Sequence, residues 1–146
     1  MNRKLLIIFL ISLIINCQEE NDQINNVLVN FQINTTLPSY NSILTVGNAI
    51  QINNSDNING YCCGVRGIII YHYSINEYIA YERNCTFQPN NACAQINLDN
   101  SMIFAVDSCC NSKFLLLDGS VIEGPAINPL KTYNTSFDGT FISVFN

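Results

Sequence analysis

Four cysteines between residues 82 and 114 constrain this chain more than any other feature. They stand in two clusters, Cys85 with Cys93 and Cys109 with Cys110. Strand-like sequence leads into each cluster and out of it. A fold built on this stretch therefore carries two cysteine-bearing loops on a β-scaffold. Thiols gathered on two loops suit a metal centre, or what is left of one.

The rest of the chain repeats the strand signal. Val27, Val29, Phe31 and Ile33 alternate with Leu28, Asn30 and Gln32, a period of two. Residues 43–46 and 48–52 read as short strands broken at Gly47. Residues 68–73 form a continuous apolar and aromatic run, which predicts a buried strand. Residues 77–82 return as its hairpin partner and deliver the chain to Cys85. Residues 94–98 and 102–106, joined through Asp99-Asn100-Ser101, deliver it to Cys109 and Cys110. Asp118-Gly119 and Asp138-Gly139 mark two later hairpin turns, with a rigid Gly124-Pro125-Ala126 loop between them. No segment shows a helical period and none repeats. This predicts a single all-β domain, an antiparallel sandwich or barrel. With 146 residues, 48% apolar and 12% charged, the chain has enough apolar matter for one core. A net charge of −5 argues against nucleic acid as a partner, because phosphate binding needs a basic surface.

The N-terminus reads as a targeting segment. Arg3 and Lys4 precede an apolar run over residues 5–15. That run matches a signal-peptide h-region and falls short of the roughly 20 residues of a membrane span. It ends at Asn16-Cys17, which resembles a bacterial lipoprotein lipobox apart from the asparagine before the cysteine. The resemblance implies cleavage after residue 16 and lipidation of Cys17. The expected organisation is a signal peptide over 1–16, an acidic tether over 17–26 and the β-domain over 27–146. Gln18-Glu19-Glu20-Asn21-Asp22 resembles the acidic signals that carry some Bacteroidetes lipoproteins to the cell surface. The location implied is outside the cytoplasm, on the bacterial outer membrane, with the lipid as the membrane contact. Of the seven cysteines, removing Cys17 leaves six, an even number in an oxidising compartment, where disulfides are the default.

From residue 27 onward the motifs combine. A hairpin leads to Cys85-Thr86-Phe87, and a second hairpin leads to Asp107-Ser108-Cys109-Cys110-Asn111-Ser112-Lys113-Phe114. An Asp-Gly turn follows, and then Gly124-Pro125-Ala126-Ile127-Asn128-Pro129-Leu130-Lys131-Thr132-Tyr133. This succession resembles the Rieske iron–sulphur domain family. The resemblance implies a Rieske-like β-sandwich or barrel whose two loops face each other. A Rieske centre takes Cys-x-His from the first loop and Cys-x-x-His from the second, two thiolates on one iron and two imidazoles on the other. On this chain the four ligand positions fall on Cys85, Phe87, Asp107 and Cys110. Only Cys85 keeps its family identity, and a phenyl ring ligates nothing. His72, the chain's one histidine, lies in the preceding strand, where it reads as a packed residue. An ordinary His₂Cys₂ centre therefore cannot form within this chain.

The same resemblance implies a disulfide between the loops, Cys93 with Cys109. It leaves Cys85 and Cys110 facing each other at former ligand positions, where an oxidising compartment would let them pair too. Cys62 and Cys63 read as free or paired with each other. The favoured reading is a membrane-anchored, disulfide-stapled structural or binding module with no cofactor, no catalytic residues and a protein partner of unknown identity. The alternative is an electron carrier with an atypical [2Fe–2S] cluster on Cys85, Cys93, Cys109 and Cys110, with Asp107 as a substitute ligand.

Overall fold

The computed structural model describes residues 23–56 and 58–146. The expected signal peptide, Cys17 and most of the acidic tether lie outside the described residues. Among the described residues, eleven antiparallel strands form two sheets. The larger sheet holds β1 (Asn30–Asn34), β2 (Ala49–Ile52), β3 (Gly60–Tyr61), β4 (Ile68–Ser74), β5 (Glu77–Glu82), β10 (Thr132–Phe137) and β11 (Phe141–Phe145), in the order β2-β4-β5-β10-β11-β1-β3. The smaller sheet, in the order β6-β7-β8-β9, holds β6 (Ile96–Leu98), β7 (Phe104–Asp107), β8 (Lys113–Leu115) and β9 (Val121–Glu123). It is inserted in sequence between β5 and β10. No helix among the described residues is long and apolar enough to cross a membrane.

The unbroken apolar run of β4 follows from its position. Ile68 and Ile70 enter one core with Phe31, Ile33, Ile52, Ala80, Ile142 and Val144. Ile69, between them, enters a second core with Tyr81, Cys85, Ile96, Phe114 and Leu116. Side chains alternate across a strand. A strand with a core on each side must therefore be apolar at every step. β5 divides the same way, Ala80 to the first core and Tyr81 to the second. The second core thus joins the two sheets. Gln51 adds a polar tie, its Oε1 accepting the Leu98 N–H at 2.5 Å.

One expected strand is a different element. Residues 41–44 form a single 3-10 turn, Asn41–Leu44, rather than the start of a strand over 43–46. Their backbone bonds are local: Ile43 N–H donates to Tyr40 O at 3.0 Å and Thr45 N–H to Ser42 O at 3.3 Å. Only Ile43 is fully buried, while Leu44 and Val46 are about half exposed. One turn delivers one apolar anchor with no partner strand. The strand expected over 94–98 begins at Ile96, because Ala94 N–H bonds back to Asn91 O within the loop. The strand expected over 102–106 begins at Phe104, after Met102 adopts a positive φ of 59° in the turn.

Glu82, at the end of β5, is fully buried and organises the approach to the site. Its carboxylate accepts the N–H groups of Val65 (2.7 Å), Arg66 (3.0 Å) and Asn84 (3.0 Å) and the hydroxyl of Tyr133 (2.7 Å). A buried carboxylate is tolerated when its lone pairs are occupied in this way. Gly64 makes the approach possible. Its φ is +75°, and a Cβ there would overlap Glu82 Oε2.

Candidate functional site

The first cysteine loop leaves β5 and is closed at its base by an antiparallel bridge between Asn84 and Gln95. Cys85 N–H donates to Ala94 O at 3.1 Å, and Ile96 N–H to Arg83 O at 2.8 Å. Arg66 braces the loop from outside. Its guanidinium donates to Asn84 Oδ1 (2.9 Å), Ala92 O (2.8 Å) and Asn91 O (2.6 Å). The second loop is the tight turn between β7 and β8. Asp107 N–H donates to Ser112 O at 2.9 Å, and Asn111 N–H to Asp107 O at 2.7 Å. Asn111 takes a φ of 63°, a conformation asparagine tolerates better than most side chains. Asp107 Oδ1 caps the turn by accepting Cys109 N–H at 2.7 Å and Cys110 N–H at 3.4 Å.

The Gly124-Pro125-Ala126 loop ties both together. Ala126 N–H donates to Ser112 Oγ at 2.9 Å on the second loop, and Thr86 Oγ1 of the first loop donates to Asn128 O at 2.7 Å. A disulfide joins Cys93 to Cys109 across the two cysteine loops. The vicinal Cys62 and Cys63 are bridged to each other.

The second bridge expected between the loops is not formed. Cys85 and Cys110 are free thiols with their Sγ atoms 3.8 Å apart, well beyond the roughly 2.05 Å of a disulfide. Each sulphur has other partners. Cys110 donates to Ser112 Oγ at 3.1 Å, and Cys85 Sγ accepts Phe87 N–H at 3.5 Å. Asp107 completes the group. A carboxylate oxygen of Asp107 and the two sulphurs all lie within 4.8 Å of one another. Asp107 is fully buried, and its Oδ2 has no hydrogen-bond partner. Burial, and then the neighbouring Asp107 carboxylate, push the Cys85 thiol well above the usual thiol range. Cys110 is half-buried and lines a cavity of about 240 Å3, with Phe87, Asn91 and Pro125 also on its walls.

Of the four positions that the resemblance assigns to cluster ligands, Cys85, Asp107 and Cys110 are thus brought together, and Phe87 lines the cavity beside them. Cys93 and Cys109 are at the loops but spent on their bridge. His72 is elsewhere, buried with its ring stacked on Tyr78 at 4.4 Å between centroids. Two supporting residues were not legible as such. Ser112, which bonds both Cys110 and Ala126, was readable only as a marker of the second loop motif, not as a hydrogen-bonding partner. Arg66 had only its position between Gly64 and Gly67.

No family model matches this chain and no curated protein does. Solved structures do. The plasma membrane Rieske protein PetC3 from the cyanobacterium Synechocystis PCC 6803 superposes with a TM-score of 0.50 at 23% identity, over 83% of this chain and 100% of PetC3. The fold is Rieske-like. Also similar are a chain from the complex of reduced oxygenase and oxidised ferredoxin of carbazole 1,9a-dioxygenase (TM-score 0.46, 15% identity, 83% of this chain and 94% of that one). The ferredoxin of carbazole 1,9a-dioxygenase from Nocardioides aromaticivorans IC177 is a third (TM-score 0.46, 14% identity, 82% and 98%).

Rieske domains carry a [2Fe–2S] cluster. Such a cluster is held by four side chains. The described residues gather three ligand atoms, from Cys85, Asp107 and Cys110. Phe87 contributes a ring with no donor atom, and the Cys93–Cys109 bridge removes the two remaining thiols.

Proposed function

We propose that this chain is an extracytoplasmic lipoprotein, anchored through Cys17, whose Rieske-like domain has lost the Cys/His ligand set and works as a disulfide-stapled structural or binding module. The observation that carries the reading is the Cys93–Cys109 bridge. It clamps the two loops to each other and takes two of their four thiols out of ligation. Phe87 supports it, because an apolar ring now fills a wall of the cavity at a former ligand position. The short tether between the proposed lipid and β1 would hold the domain close to the membrane surface, where a protein partner could meet it. Purified full-length protein is expected to be colourless and free of iron. Visible charge-transfer absorption together with two irons per chain would overturn the reading.

A second reading keeps electron transfer through an atypical [2Fe–2S] cluster. It is favoured by one observation, the convergence of Cys85, Asp107 and Cys110 within 4.8 Å. It needs a fourth ligand, which these loops supply only if the Cys93–Cys109 bridge opens. The same absorption and iron measurements decide between the two.

A further inference from the structure

We propose that Cys85, Cys110 and Asp107 form a mononuclear site for a thiophilic divalent cation, with zinc as the occupant the geometry suits. The inference rests on the cluster-free reading above and goes beyond it by naming a ligand.

The distances carry the argument. Zinc binds thiolate sulphur at about 2.3 Å in a tetrahedron, so the edge between two bound sulphurs is about 3.8 Å. Cys85 Sγ and Cys110 Sγ are 3.8 Å apart. They already stand at the spacing the cation requires, with no disulfide between them. The third donor is a carboxylate that the fold otherwise leaves incomplete. Asp107 Oδ1 is occupied by the turn it caps, whereas Oδ2 is buried and unpartnered. An orphaned buried carboxylate oxygen is costly, and a bound cation would satisfy it. Sulphur with oxygen is a donor set that zinc accepts.

The outer groups fit as well. Phe87 N–H already points at Cys85 Sγ (3.5 Å), and Ser112 Oγ lies 3.1 Å from Cys110 Sγ. Once both thiols lose their protons to solvent on binding, the backbone N–H and the serine hydroxyl would serve as donors to the two thiolates. Three protein ligands leave a fourth position open. Cys110 faces the cavity of about 240 Å3, from which a water molecule can fill it. The bridge between Cys93 and Cys109 holds the two loops in register, so the two sulphurs are spaced for a cation before one binds.

The test uses the full-length chain, freed of metal with a chelator and handled without reductant so that the two bridges stay closed. Thiols are counted first, with Cys17 blocked by its lipid. Two free thiols are expected, and none would overturn the proposal. Cobalt(II) is then added as a spectroscopic stand-in for zinc. One cobalt per chain is expected, with thiolate-to-cobalt charge-transfer absorption and the strong ligand-field bands of a tetrahedral centre, all bleached by one equivalent of zinc. Cys110→Ser should remove one thiolate contribution. Asp107→Asn, which retains a carbonyl oxygen to cap the turn, should weaken zinc by at least about 10-fold, the loss already produced by removing outer partners of a metal site. Absence of charge-transfer bands in the wild-type protein would overturn the inference. So would cobalt spectra and zinc affinity unchanged in both variants, which would mark the ion as adventitious. A brown, iron-containing protein would instead overturn the cluster-free reading, so the two failures are distinct.

Discussion

At the scale of single residues, the polar groups that matter are those buried without water. Glu82 is the clearest case, because one carboxylate satisfies three backbone N–H groups and a tyrosine hydroxyl. Glu82→Ala strands four donors, two of them, Asn84 N–H and the Tyr133 hydroxyl, in the interior. Urea denaturation should show a loss of about 3 kcal/mol or more, on the principle that each buried unsatisfied group costs about 1–3 kcal/mol. The two free thiols should differ in reactivity for a reason equally local. Cys110 is half-buried and lines a cavity, whereas Cys85 is fully buried. An alkylating reagent followed by mass spectrometry should label Cys110 in the native protein and Cys85 only on unfolding. Equal labelling rates would contradict the arrangement. Cys85, Phe87, Asp107 and Cys110 were legible as site positions only through the resemblance to the Rieske loops. The orphaned Oδ2 of Asp107 was not, since hydrogen bonding in a folded turn decides which oxygen is occupied.

At the scale of elements, the two cysteine loops are held by different means. The first depends on its closing bridge at Asn84 and Gln95 and on Arg66. The second is a self-sufficient turn capped by Asp107. The Cys93–Cys109 bridge, 16 residues apart in sequence, couples them. Loop-closure entropy assigns such a link about 3 kcal/mol. Cys93→Ser should therefore lower the thermal midpoint by on the order of 10 °C, given the usual unfolding entropy of a domain of this size. Calorimetry of the variant in the absence of reductant measures it, and an unchanged midpoint would mean the loops hold their register unaided. The hairpins that carry these loops were readable, because apolar strand runs and polar turns such as Asp99-Asn100-Ser101 are local signals. The 3-10 turn at Asn41–Leu44 was not. Its apolar residues resemble a strand fragment, and only the position of the first core decides that Ile43 alone is needed there.

For the whole molecule, the second core is what makes one domain of two sheets, and Tyr81 is central to it. Its hydroxyl crosses that core to donate to Leu116 O at 2.9 Å. Burial, then Asp118, raises the Tyr81 hydroxyl pKa. Burial, then Glu82, raises that of Tyr133. Both stay protonated in the native state where an unfolded tyrosine, with its value of about 10, would ionise. Above that pH the native state binds more protons than the unfolded one, so stability is unaffected below it and falls as pH rises through it. Alkaline titration followed by tyrosinate absorbance should show these two phenols ionising only together with loss of the fold. Early, non-cooperative ionisation of all seven tyrosines would contradict their burial.

The sequence by itself determined the all-β class, the two cysteine-bearing loops and the departure of Phe87 from any ligand role. Those properties live in periodicity and in side-chain chemistry, which need no neighbours to be read. Tertiary structure alone decided that Cys85 and Cys110 stay free. Cys85 and Cys110 are separated along the chain by a whole hairpin. Whether their sulphurs stand at 2 Å or at 3.8 Å depends on how that hairpin packs across the second core and on where Asp107 and Ser112 hold the turn.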